Sequence, residues 1–132
     1  MSNVNVNLVQ TLYAAFKRGD IGPIIAALAP DVAWHSHGSP EDYPTLGLHK
    51  GPQAVAKFFQ TVAENQTAVD FAPREFHATG DRVFVLGHYD WTLRKTGKVV
   101  SADWVHVFTV KDGKVTTFDE FTDTAQFARA MR

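Results

Sequence analysis

The chain has 132 residues and a formal net charge of −1, with thirteen basic and fourteen acidic residues interspersed, so it fits one domain and lacks the electrostatic footprint of a nucleic-acid or anionic-membrane binder. It contains no cysteine, which excludes disulfides, thiolate metal sites and thiol nucleophiles. The polar start from Met1 to Asn7 does not read as a signal peptide, and the longest apolar run, Ile24 to Ala29, is far short of the ~20 residues of a membrane helix, so a cytoplasmic protein is expected.

Leu8, Leu12, Ala15 and Phe16 recur at helical spacing with Val9 and Tyr13 alongside, and Gly19 supplies the left-handed residue that commonly ends a helix. Asp20 is a suitable N-cap for a short second helix with Pro23 in its first turn, which Pro30 then stops. Val32 to Ser36 reads as a strand. Gly38 to Lys50 is rich in Gly, Pro and polar residues, a loop whose Tyr43 is placed to reach over a cavity. Gly51 and Pro52 open a third helix, and its stripe of Val55, Phe58, Phe59 and Val62 calls for a sheet to pack on.

Four strand-like runs follow, near Thr67 to Thr79, Arg82 to Arg94, Lys98 to Val110 and Lys114 to Thr122. Pro73 suits only a bulge or an edge strand. After Asp123, Phe127 and Met131 suggest a helical tail. With no repeat or linker, the order describes a single α+β domain over residues 1–132, a strongly bent antiparallel sheet with three N-terminal helices enclosing an apolar pocket.

Hairpin register decides which side chains meet, because a slip of one residue turns every side chain to the other face. A three-residue loop at Lys111-Asp112-Gly113 pairs His106 with Phe118 and Trp104 with Glu120, whereas a two-residue turn pairs His106 with Asp119. A three-residue loop at Lys95-Thr96-Gly97 pairs His88 with Trp104 and Leu86 with His106. One face then carries Phe84, Leu86, His88, Asp90, Trp104, His106, Phe118 and Glu120. The other carries Val83, Val85, Tyr89, Trp91, Val105, Val107 and Phe121. Both are apolar, so the second needs cover. A homodimer through Tyr89, Trp91, Val105, Val107 and Phe121 is expected, the alternative being cover by tail and loops of the same chain.

The segments YAAFKRGD, DVAWHSHG, PTLGLHKGPQAVAKFF and WVHVFTVKDGKVTTFDEFTD resemble the SnoaL-like group of the nuclear transport factor 2-like superfamily, which is related to ketosteroid isomerases. The resemblance covers nearly the whole chain and implies a conical, often dimeric α+β fold. It does not select a function, since the superfamily mixes isomerases, cyclases, hydrolases, dehydratases and noncatalytic binders. Carried over residue by residue, the isomerase tyrosine on the first helix falls at Leu12, next to Tyr13. The general-base aspartate falls at Ser36, and the aspartic acid kept neutral in an apolar site falls at His106. A steroid isomerase with the usual residues is therefore not expected. The same alignment makes His106, Phe118 and Glu120 pocket-facing.

His106 and Glu120 form the candidate acid/base pair, with His88 and Asp90 as a second polar pair on the same face. A buried His beside a Glu is also common as a merely satisfied hydrogen bond. Tyr13, Trp34, Ser36, Tyr43, Phe58, Leu86, Trp104 and Phe118 are the candidate pocket wall. His35 and His37 lie on one side of a strand but lack a third donor, so no metal is expected, and His49 and His77 have no assigned role. The chain is thus expected to bind a hydrophobic small molecule and, without a cofactor, to move protons on it as an isomerase, cyclase or hydratase/hydrolase would. An epoxide hydrolase using Glu120 and Asp90 and a noncatalytic binding or dimerisation module are the rivals.

Overall fold

The computed structural model describes residues 2–132, so Met1 of the polar start lies outside the described residues. Among the described residues the elements run α1 (Ser2–Lys17), α2 (Gly22–Ala26), β1 (Leu28–Ser36), β2 (Gly47–Lys50), α3 (Pro52–Asn65), β3 (Gln66–Thr79), β4 (Arg82–Leu93), β5 (Val99–Lys111), β6 (Lys114–Thr122) and α4 (Thr124–Ala130). The strands form one six-stranded sheet in the order β2-β1-β6-β5-β4-β3, antiparallel except where β1 runs parallel to β6. The α+β architecture expected from the sequence is therefore present. None of the described helices is long and apolar enough to cross a membrane.

The helices bury what their periodicity marks. Val9, Leu12, Tyr13 and Ala15 of α1 and Val55 and Val62 of α3 are buried, while Phe58 and Phe59 pack against Trp34 at 6.0 and 5.6 Å between ring centroids. Each such aromatic or aliphatic side chain contributes roughly 1.5–3 kcal/mol by leaving water. The tail helix α4 is capped by Asp123, whose side chain accepts from the Gln126 N–H, and it turns Phe127 inward against Tyr43. It thus closes the cone and leaves the outer sheet face alone.

Local differences from the sequence reading have local causes. Asp20 lies one residue before the N-cap of α2, which is Ile21, and its carboxylate accepts from Gly22 N–H instead. Pro30 sits within β1, in the irregular stretch between the Leu28 and Ala33 pairings, where a missing N–H interrupts no ladder. The loop expected over Gly38 to Lys50 ends in the short edge strand β2, paired with β1 from Ala33↔Lys50 to Ser36↔Gly47. Pro73 satisfies both readings given for it, since β3 is an edge strand and its register shifts between Pro73 and Glu75.

Both hairpin loops differ from the three-residue reading, with opposite consequences. The β4–β5 connection closes with Leu93 N–H bonded to Lys98 O at 2.9 Å, a four-residue loop, so His88 pairs with Asp103, Leu86 with Val105 and Val85 with His106. That one-residue change inverts β4. Val83, Val85, Tyr89 and Trp91 face the helices, and Phe84, Leu86, His88 and Asp90 face outward with Val105, Val107 and Phe121. The expected dimer face therefore loses Tyr89 and Trp91.

The β5–β6 connection is a two-residue turn in which Asp112 and Gly113 take φ of 52° and 75°, the left-handed pair of a type I′ hairpin. Alone it would set His106 against Asp119. Instead the register shifts after Val110↔Val115, leaving Thr116 as the extra residue, and His106 lands directly opposite Glu120.

Candidate active site

The inner face, α1, α3 and α4 enclose a cavity of about 80 Å³. Its wall is aromatic, with Trp34, Phe58, Phe59, Phe108, Phe118 and Phe127 among its residues, and Tyr13, His106 and Glu120 bring chemistry into it. The Tyr13 hydroxyl lies 2.6 Å from His106 Nδ1, and His106 Nε2 lies 2.8 Å from Glu120 Oε2. The helical turn after Leu12 presents Tyr13 to the sheet, while cross-strand pairing presents His106 to Glu120.

The bonding directions follow from what each group can do. A carboxylate only accepts, so with Glu120 ionised Nε2 carries the imidazole proton and Nδ1 accepts from Tyr13 O–H. With Glu120 protonated the chain reverses: Glu120 donates to Nε2, Nδ1–H donates to the Tyr13 oxygen, and the phenol proton is free to point into the cavity. Burial, and secondly the Glu120 charge, hold the Tyr13 hydroxyl well above its ordinary pKa, so it stays a neutral donor. Burial and Glu120 act on Tyr89 in the same order and direction.

The imidazole is fixed by packing. Trp104 stacks on it at 3.9 Å, and the Tyr13 ring lies nearly parallel to it with centroids 5.9 Å apart. Gly87 makes room for that indole: a Cβ there would fall 2.3 Å from Trp104 Cζ2 and 2.7 Å from the Ala72 carbonyl oxygen. The side chains of His106 and Glu120 are only 6% and 17% exposed, so little water competes with the chain.

The sheet brings together His106 and Glu120 of the expected acid/base residues and separates His88 and Asp90 from them. Those two lie on the outer face, where His88 Nδ1 is 2.9 Å from Asp103 and Nε2 is 3.1 Å from Asp90 and 3.2 Å from Ser101. The bond to Asp103 chiefly, then that to Asp90, raises His88, and the bonds from Ser101 and His88 lower Asp90. With Asp90 outside, the Glu120–Asp90 arrangement of an epoxide hydrolase is also ruled out.

Of the expected wall residues, Tyr13, Trp34, Phe58 and Phe118 line the cavity. Ser36 and Trp104 are buried on the inner face behind the lining. Tyr43 is buried too, its hydroxyl 2.6 Å from Gln66 Oε1, so it braces the loop instead of reaching over the cavity, and burial pushes it up to about 12. Leu86 is 37% exposed on the opposite face. Tyr89, Trp91, Phe108 and Phe127 are lining residues that the sequence reading placed elsewhere or left without a role. Among the described residues the hydroxyl of Tyr89 and the indole N–H of Trp34 have no hydrogen-bond partner of good geometry, although Thr122 lies near enough to Tyr89 to act on its pKa.

Residues 9–118 match the SnoaL-like domain family. The chain belongs to that family. This SnoaL-like protein superposes on a nuclear transport factor 2-like protein of Burkholderia xenovorans LB400 with a TM-score of 0.90 and 34% identity, covering 100% of this chain and 98% of that one. TerC, crystallised with polyporic acid, is 31% identical with a TM-score of 0.84 over 96% of this chain and 97% of its own. A Mesorhizobium loti protein assigned by name only as a SnoaL-like polyketide cyclase shares the fold at 23% identity and a TM-score of 0.73, over 88% and 97%. No protein of curated function matches.

Proposed function

We propose that this SnoaL-like protein is an acid/base catalyst, of the isomerase, cyclase or hydratase type, acting with its own side chains on a hydrophobic, oxygen-bearing small molecule. The continuous chain from Tyr13 O–H through His106 to Glu120 on the wall of an apolar cavity carries this reading. Glu120 takes a proton from carbon beside a carbonyl, the electron pair moves to the carbonyl oxygen, and Tyr13 turns its O–H from His106 Nδ1 to that oxygen, while Nε2–H stays on the Glu120 carboxyl. Base and oxyanion donor are thereby coupled, and such positioned proton transfer supplies ~10²–10⁴-fold in rate.

The unpartnered Tyr89 hydroxyl and Trp34 N–H favour a ligand with oxygen acceptors, in keeping with the crystallisation of TerC with polyporic acid. An apolar cavity of about 150 Å³ holds benzene, so a ring system larger than that enters only as the wall yields, and the half-buried Phe16, Phe58, Phe59 and Phe71 are the aromatic wall side chains with solvent beside them.

Hydrogen–deuterium exchange of cyclic diketones, followed by NMR, tests the chemistry. The wild type should exchange faster than buffer, and Glu120→Gln should lose ~10²–10⁴-fold while polyporic acid still quenches tryptophan fluorescence in both. Equal exchange in the two proteins overturns catalysis and leaves a binding module. The proposal extends to cytoplasmic residence and to a homodimer through Val105, Val107 and Phe121 with Leu86 added, the last two 48% and 37% exposed. A monomer in gel filtration at micromolar concentration overturns the dimer.

A further inference from the structure

The outer face holds a cluster that the cavity chemistry does not use. His35 of β1 and His37, one residue past the end of β1 and held by its N–H to the Glu120 carbonyl at 3.1 Å, project to the same side, and Asp119 of β6 is in register with His35. His37 Nε2 lies 2.8 Å from Asp119 Oδ1, and one donor atom from each of the three residues lies within 4.8 Å of the others. Sequence alone left the histidine pair without a third donor because Asp119 is 82 residues from His37 along the chain.

We propose that His35, His37 and Asp119 bind one divalent transition-metal cation of the zinc type, with water completing its shell. Zinc holds imidazole nitrogen and carboxylate oxygen at about 2.0–2.2 Å, which sets tetrahedral donors about 3.3 Å apart, against 2.8 Å between His37 and Asp119 and no more than 4.8 Å across the three residues. Two imidazoles and one carboxylate suit a borderline cation better than magnesium or calcium, which prefer all-oxygen sets.

Two features prepare the site. The β1–β6 ladder fixes the backbone under the donors, and Phe121 stacks on the His37 ring at 4.4 Å and 11°. The His35 and His37 rings are themselves stacked at 3.7 Å and 26°, so one must rotate to converge on the ion. Both are only partly buried, which leaves room for the rotation. His88 on the same face is a built-in contrast, since its two nitrogens are directed at different carboxylates and its surroundings cannot converge on one ion.

Zinc chloride titrated calorimetrically into the chelator-treated full chain should bind one ion per chain and raise the thermal midpoint. His35→Ala, His37→Ala and Asp119→Asn should each weaken binding by roughly 10–100-fold or more, whereas His88→Gln should leave it unchanged. Cobalt(II) added to the wild type gives a readout independent of any variant: the NMR resonances of His35 and His37 should shift far more than that of His77 on the distant edge strand β3. Absence of zinc binding at roughly millimolar concentration, equal affinity in all variants, or uniform movement of every histidine resonance overturns the site.

Discussion

The two faces of the sheet are built from alternate residues of the same strands, yet they use histidine differently. His106, on the inner face, is held between a phenol and one carboxylate, sealed by Trp104. His88, on the outer face, meets two carboxylates and a serine hydroxyl within reach of solvent. A His–carboxylate contact is therefore not in itself a catalytic signature, and the enclosing cavity and the third partner distinguish the two.

Paired substitutions test that contrast most severely. His106→Gln should lower diketone exchange by ~10²–10⁴-fold, as Glu120→Gln should, while His88→Gln leaves it within about twofold of wild type. Equal losses at His106 and His88 would erase the distinction between the faces.

Gly87 probes the packing behind the inner histidine. Gly87→Val drives a side chain into the indole and the Ala72 carbonyl, and such overpacking should cost about 3 kcal/mol in denaturant unfolding. Unchanged stability would mean that Trp104 is free to leave the imidazole.

The tyrosines sharpen the contrast through pH. Tyr13 and Tyr89 are held well above the ordinary 10.0 and Tyr43 at about 12, and the chain has no other tyrosine. The folded state thus retains phenol protons that the unfolded chain loses, so this contribution to stability is complete below pH ~10 and declines as pH rises through the folded values. Native protein should show no tyrosinate absorbance near pH 10; a transition there would show a solvated phenol. The smallest effect concerns His88, whose NMR titration midpoint should lie above 6.5 because Asp103 and Asp90 favour its charged form. Its stabilising contribution is present at acidic pH and fades as pH rises through that midpoint.

The fold was legible because helix stripes, turn residues and the placement of Pro73 agree with one another and with the family resemblance. His106 and Glu120 were legible as facing the pocket, but their direct opposition was not. It depends on the extra residue Thr116, which restores the parity that the Asp112-Gly113 turn alone would have reversed. The orientation of β4 was not legible, since Val83, Val85, Tyr89 and Trp91 on one parity and Phe84 and Leu86 on the other are all apolar, and Gly97 suits a three- or a four-residue loop. A usable signal was the alternation around Gly87, which sets the polar pair His88 and Asp90 on the parity away from the indole. Tyr13 was read as wall, and its link to His106 needed the helix and sheet to be docked.

Asp119 and Glu120 are consecutive, so β6 works as a partition that hands one carboxylate to each of two compartments. Drawing Thr116 into the ladder opposite Thr109, where Thr117 now stands, would set the enclosed imidazole against Asp119, one methylene shorter, and turn Glu120 to the opposite compartment. A change of pairing here would thus trade one chemistry against the other without altering any residue.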